Sequence, residues 1–268
     1  MQNNKKYKIA VCIGGELRRW KITQHLFNSF HGRYEDVDVD FFISTWNPIK
    51  ERDSSGDVWL QEDVINSLDR LKGYEFLDKD CEQLNTSNQM KYYYLMYRCN
   101  LLKSEYELEN NFNYDCVLVS RPDMAIEDIA ALQKGEDYER TIDALYQFMM
   151  VYDGEKSNKI SRGELVVGGL WWNPSAKYFG GYSSMDTVFW GRSSTMDIFT
   201  QVYKYVWNSK LFNSIERMHS LPPSWSRYAG LVPMGNQHSP GVILNILRRE
   251  NEKEYEKYFE TEECLCRL

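Results

Sequence analysis

No stretch of the chain approaches the roughly 18 consecutive apolar residues of a membrane-spanning helix, so no membrane span is expected. An excess of basic residues is lacking too. Lys and Arg number 32 against 39 Asp and Glu, a net charge of −7, which works against wrapping a phosphate backbone and excludes a dedicated nucleic-acid binder. Histidine is scarce, at four, and the six cysteines (Cys12, Cys81, Cys99, Cys116, Cys264, Cys266) are scattered, with no C-x-x-C pair and no histidines at metal spacing. They read as reduced, buried thiols. Glycine (16) and proline (7) are too few for collagen or low-complexity sequence, and 43% hydrophobic with 26% charged residues excludes disorder. The basic start at Met1–Lys8 meets only the short apolar stretch Ile9–Ile13 before Gly14-Gly15, too short for a secretory core with its cleavage site. The protein is therefore expected in the cytoplasm, where it is made.

What the chain does have is length: 268 residues can bury about 75% of the unfolded surface without help from a metal or a disulfide. Strand and helix signals alternate through the first half, the mark of βαβ units and a mostly parallel sheet flanked by helices. Ile9–Ile13 reads as the central strand, buried on both faces. Leu17, Trp20, Ile22, Leu26, Phe27 and Phe30 follow at helical spacing, then a strand over Asp38–Trp46 closed by Asn47-Pro48. A helix is predicted over Gln61–Leu71 and a short strand over Tyr74–Leu77. The longest helix opens with Thr86 and Gln89 as a capping box and carries Met90, Tyr94, Tyr97 and Leu101 on one stripe, which Leu95, Leu102 and Tyr106 widen. Asp115–Ser120 is a further buried strand that runs straight into Arg121-Pro122-Asp123. Residues 127–162 form an excursion. Beyond them come a loop region dense in glycine and aromatic residues (Val166–Trp172, Gly180–Tyr182), a helix opened by Ser194 and Asp197, and a last helix at Ser239-Pro240. No repeat or long linker appears, so 1–268 reads as a single α/β domain with a nucleotide-binding half (1–126) and an acceptor-side half (163–268).

In an open sheet, ligands bind beyond the carboxyl ends of the strands, and polar residues there are the first candidates. Gly14-Gly15-Glu16-Leu17-Arg18 follows the first strand, where glycines permit close backbone approach and an arginine supplies countercharge to an anion. A plain tight turn with surface arginines is the other reading. Arg121 and Asp123 end a buried strand, where a carboxylate can hold Mg²⁺ or Mn²⁺ against a diphosphate while the arginine pairs with phosphate. A salt-bridged turn is the alternative. Asp38-x-Asp40 enters its strand at the wrong end of the sheet. Asp78-Lys79-Asp80 follows a strand and competes. Asp186, after the glycine-rich aromatic loop, stands where a carboxylate can accept a proton from a hydroxyl, or cap the next segment. His238 precedes the last helix as a metal or phosphate ligand, or as a hydrogen-bonding residue.

Together, the strand with G-G-E-L-R, the strand ending in T-W, the long helix, the strand entering S-R-P-D and the late M-D-T-V-F-W-G resemble GT-A-type glycosyltransferases, in particular small sugar transferases of bacterial capsule and lipopolysaccharide clusters and of large DNA viruses. The likeness spans Ile9 to about Arg249, apart from the excursion. It implies a single Rossmann-related domain in which Ile13, Gly14, Gly15, Arg18 and Arg121 hold a nucleoside diphosphate sugar, UDP-sugar favoured, and Asp123 is the metal carboxylate, with His238 nearby. The family's D-x-D departs here to Arg121-Pro122-Asp123, which removes one acid and adds a positive charge, so arginine takes over part of the metal's work. The resemblance further implies transfer to a glycan hydroxyl, assisted by Mn²⁺ or Mg²⁺, inverting, with Asp186 as base. Trp171, Trp172, Tyr178, Tyr182 and Trp190 would wall the acceptor, although a structural core explains such aromatics equally well.

Two other classes compete. A dinucleotide-dependent dehydrogenase needs G-x-G-x-x-G after the first strand and finds G-G-E-L-R-R, and a nucleotidyltransferase needs a basic glycine-rich loop that is absent. A non-catalytic carbohydrate-binding module accommodates the aromatics but leaves the pairing of Arg121 with Asp123 unexplained.

Overall fold

A computed structural model describes residues 7–17, 20, 24, 27–28, 37–50, 58–78, 88–122, 164–168, 170–172, 182–184, 188–204 and 232–236. The strands are β1 (Tyr7–Gly14), β2 (Val37–Asn47), β3 (Ile49–Lys50), β4 (Val58–Trp59), β5 (Leu71–Asp78), β6 (Cys116–Ser120), β7 (Glu164–Gly168), β8 (Leu170–Trp172), β9 (Tyr182–Ser184), β10 (Val188–Gly191) and β11 (Val232–Asn236). Seven of them form one sheet in the order β11-β7-β10-β6-β1-β2-β5, and β3–β4 and β8–β9 make two small antiparallel pairs. Within the large sheet β10 runs antiparallel to β6 and β7, and every other pairing is parallel. The expected α/β architecture is present, and both halves of the chain contribute strands to the same sheet.

Strand alternation sorts the core into two layers. Ile9, Val11 and Ile13 of β1 join Phe41, Ile43, Leu118, Trp190, Trp20 and Phe27 on one face of the sheet. Ala10 and Cys12 join Phe42, Val117, Val119, Phe189 and the helical Met90, Tyr93, Met96 and Cys99 on the other. The continuous apolar run that marked β1 as central is thus explained by burial from both sides.

A 22-residue helix, Asn88–Glu109, covers the second face. Its buried stripe is Tyr93, Met96, Asn100, Lys103 and Glu107, spaced three and four residues apart, while Tyr94, Tyr97 and Leu101 are half-buried. Of the predicted stripe Met90 and Leu95 are buried as expected, whereas the half-buried Tyr94, Tyr97 and Leu101 give way to a buried face that runs through polar residues. Lys103 is fully buried because its Nζ donates to Glu107 Oε2 (2.9 Å), Ser193 Oγ (2.6 Å) and Asp197 Oδ1 (2.7 Å). Asp197 Oδ1 also accepts from Asn100 (2.8 Å) and Ser104 (3.0 Å), and Glu107 Oε1 from Ser193 (2.7 Å) and the Tyr114 amide (2.7 Å). A buried charge is tolerated only when paired in this way.

Other boundaries differ from expectation for local reasons. The helix over Gln61–Asn66 stops short because Ser67 Oγ turns back onto Val64 O (2.6 Å), and Leu71 already belongs to β5. The helix Ser193–Phe199 has Arg192 at its N-cap with no side-chain cap, and Asp197 is spent on Lys103 rather than in a capping box. The glycine-rich aromatic stretch read as loop supplies β7 and β8 instead. Cys12, Cys99 and Cys116 are free and buried, as expected. The excursion, the last helix, Thr86, Cys81, Cys264 and Cys266 lie outside the described residues. Among the described residues no helix is long and apolar enough to cross a membrane.

Candidate functional site

The six parallel strands of the large sheet end at one edge, and the antiparallel β10 begins there. From β1 the chain passes to β2 on one side, whereas β6 lies on β1's other side. The crevice between the ends of β1 and β6 is the switch point at which open α/β sheets bind ligands. Ile13 is paired with Ser120 across it.

Two turns meet at this point. Gly15 has φ +142°, a conformation L side chains rarely adopt, and its amide donates to Ser44 O (3.2 Å). A Cβ at Gly15 would come within 3.0 Å of Pro122 Cδ and 4.0 Å of Tyr92 Cδ2, so the turn at Gly15 rests against the Pro122 ring. Gly14 plays a different part. A Cβ there would lie 2.9 Å from the backbone N and 3.0 Å from Cα of Met96, so this glycine makes room for the long helix. Ile13 is fully buried and packs in the core beneath the turn. Arg121 is half-buried at the end of β6.

The remaining sequence candidates sort by strand. Arg18, Asp123, Asp186, Tyr178 and His238 lie outside the described residues. Asp123 directly follows Pro122. Asp186 stands two residues before Val188, the partner of Ser120, and His238 two residues after Asn236, the partner of Gly168. In sequence, Asp123, Asp186 and His238 thus lie within three residues of a described strand end at that edge. Strands β6 and β11 are three spacings apart, about 14 Å. A metal shared by Asp123 and His238 requires chain that returns across β10 and β7. Trp171 and Trp172 form β8, where Trp172 pairs with Tyr182 and Trp171 with Ser183, so three of the expected acceptor aromatics belong to one antiparallel pair. Trp190 departs from that group: it is 3% exposed and packs in the core.

The discounted Asp38 and Asp40 enter β2 at the opposite edge, where Arg70 pairs with both (3.1 and 2.7 Å) and Tyr114 Oη donates to Asp40 (2.9 Å). Asp78 ends β5 at the candidate edge and is exposed. Sequence reasoning missed two constellations near this edge. Glu75 of β5 accepts hydrogen bonds from Ser44 Oγ (2.7 Å) and from Arg98 Nη2 (2.6 Å), and the bond to Glu75 holds the Arg98 guanidinium above its ordinary pKa. Trp46 at the end of β2 stacks on Tyr94 (6.4 Å), which meets Tyr203 at 4.9 Å. The 98/75 pair is separated by 23 residues and the 94/203 contact by far more, so neither had a local signal.

Among the described residues no three His, Cys, Asp or Glu side chains converge as metal ligands. The described part of the switch point has a backbone turn with Arg121 next in sequence to its neighbour Pro122, a combination that suits an anion, and the donors for a cation would have to come from Asp123 and His238. No protein-family model matches the chain, and no curated protein matches it.

Proposed function

We propose that the protein is a glycosyltransferase that moves a sugar from a nucleoside diphosphate sugar, UDP-sugar favoured, to a glycan hydroxyl. The observation that supports this reading is the contact of the Gly15 turn with Pro122, the residue after Arg121, at the switch point between β1 and β6. There the diphosphate would lie beside the glycine turn, within reach of the Arg121 guanidinium. A planar, permanently charged fork pairs well with phosphate oxygens, and its attraction grows as charge develops on the departing diphosphate. A divalent ion, Mn²⁺ or Mg²⁺, held by Asp123 with His238, would add to that neutralisation. Because Arg121 stands where the family has an acid, we assign the arginine the leading share.

Asp186 takes the acceptor proton as the acceptor oxygen bonds to the anomeric carbon and the bond to the diphosphate breaks, inverting that carbon. Trp171, Trp172, Tyr178 and Tyr182 hold the acceptor. The protein would act in the cytoplasm, where nucleotide sugars are its donors.

The test is thermal denaturation with UDP- and GDP-sugars, with and without Mn²⁺. A ligand that binds only the native state must raise Tm, by an amount set by its concentration over Kd. We expect a shift with at least one nucleotide sugar, and its loss in Asp123→Ala when Mn²⁺ is the ion supplied. A response to free glycans and none to nucleotides would replace this reading with that of a binding module.

A further inference from the structure

Trp190 of β10 is 3% exposed, yet its Nε1 has no hydrogen-bond partner among the described residues. Trp20, equally buried, shows the ordinary solution: its Nε1 donates to Ser67 Oγ at 2.9 Å. An indole N–H can only donate, so Trp190 carries a donor in search of an oxygen. Leaving it unbonded is unfavourable, and a phenylalanine would occupy the same face without the problem. Thr45 of β2 repeats the pattern on the same face of the sheet, where Phe41 and Ile43 precede it: it is 1% exposed and its Oγ1 is unbonded.

The position suggests what oxygen is missing. Trp190 is paired with Leu118 of β6 and Val166 of β7. Two residues earlier on the same face, Val188 pairs with Ser120, next to Arg121. Across the edge the order is β2, β1, β6, β10. On the proposed reading, with the diphosphate beside Arg121, a sugar on its β10 side would lie over the start of β10.

We infer that the Trp190 indole N–H donates a hydrogen bond to a hydroxyl oxygen of the donor's sugar, making Trp190 a residue that selects among nucleotide sugars. This rests on the proposed glycosyltransferase reading. It also replaces the expected role of Trp190 as a flat acceptor wall, since its ring lies in the core and only its N–H remains uncommitted.

The experiment is indole ¹H–¹⁵N NMR of the full chain, which has eight tryptophans. Trp190→Phe, or Trp190→Tyr should the first not fold, identifies the resonance. UDP-glucose, UDP-galactose and GDP-mannose are titrated with Mg²⁺ beside UDP and GDP alone. We expect the Trp190 resonance to move with a nucleotide sugar and not with the bare nucleotide. The variant should bind that nucleotide sugar about tenfold more weakly, the worth of one hydrogen bond, with nucleoside diphosphate affinity unchanged. A Trp190 resonance that stays fixed while a nucleotide sugar binds would overturn the inference, leaving an internal water as the partner and the transferase reading intact. Absence of binding by every nucleotide and nucleotide sugar would overturn both.

Discussion

At the level of single residues, the pair Gly14-Gly15 shows how one dipeptide can serve two physical needs. Gly15 is required by its backbone, with φ +142° and Pro122 Cδ at 3.0 Å from a would-be Cβ, and Gly14 by the backbone of Met96 at 2.9 Å. The sequence announced a turn with close approach, but not that the closest approach at Gly14 is by a helix some 80 residues on, because long-range packing leaves no local mark. We expect Gly14→Ala and Gly15→Ala each to lower stability by about 1–3 kcal/mol, the cost of overpacking at the first and of strained backbone at the second. Urea denaturation measures both. Only Gly15→Ala should also disturb ligand binding, because its turn rests against Pro122, the residue after Arg121. Equal stability of either variant with the parent would contradict the packing described.

Among the elements, the long helix carries the main lesson about legibility. Its existence and length follow from the pattern of apolar residues between Met90 and Tyr106, yet its buried stripe passes through Lys103 and Glu107, residues that any apolar pattern assigns to solvent. Their partners Ser193 and Asp197 lie about 90 residues away, and only the folded sheet brings the two helices together. Removing one partner of a buried ion cluster is more costly than never having had it. Lys103→Met should therefore lose about 3–5 kcal/mol, because Glu107 is left charged and buried. Asp197→Asn should lose much less, since that side chain is 40% exposed and keeps its hydrogen-bonding neighbours. A loss below about 1 kcal/mol in Lys103→Met, read from chemical denaturation, would mean that the network does not bind the helices together.

For the whole molecule, the alternation of strand and helix signals disclosed the parallel part of the sheet, and strand ends disclosed the candidate residues. The placement of β10 as the lone antiparallel member among β6 and β7 was not legible, since periodicity gives a strand's existence and not its direction. That placement bears on the proposed site, because it sets the start of β10, Val188, beside the end of β6. The core also fixes how the molecule responds to alkali. Burial pushes the Cys116 thiol up to about 12, and burial likewise raises Cys99 and, with Asp40 as its acceptor, Tyr114. These groups are neutral in the folded state and ionise more readily when unfolded, near 8.5 for a thiol and 10 for tyrosine. Their contribution is complete below about pH 8.5 and is lost as pH rises, by about 1.4 kcal/mol per pH unit for each group until its folded pKa is reached. Urea midpoints should therefore fall between pH 8 and 11, less steeply in Cys116→Ala, and a flat profile would contradict the burial of these groups.

The central claim is that the crevice between β1 and β6 holds the diphosphate of an activated sugar against Arg121. Calorimetric titration of a responding nucleotide sugar into the parent and into Arg121→Ala tests it most directly. A lost charge-assisted contact to phosphate should weaken binding by about 10- to 150-fold. Equal affinity in the two proteins would place the ligand elsewhere.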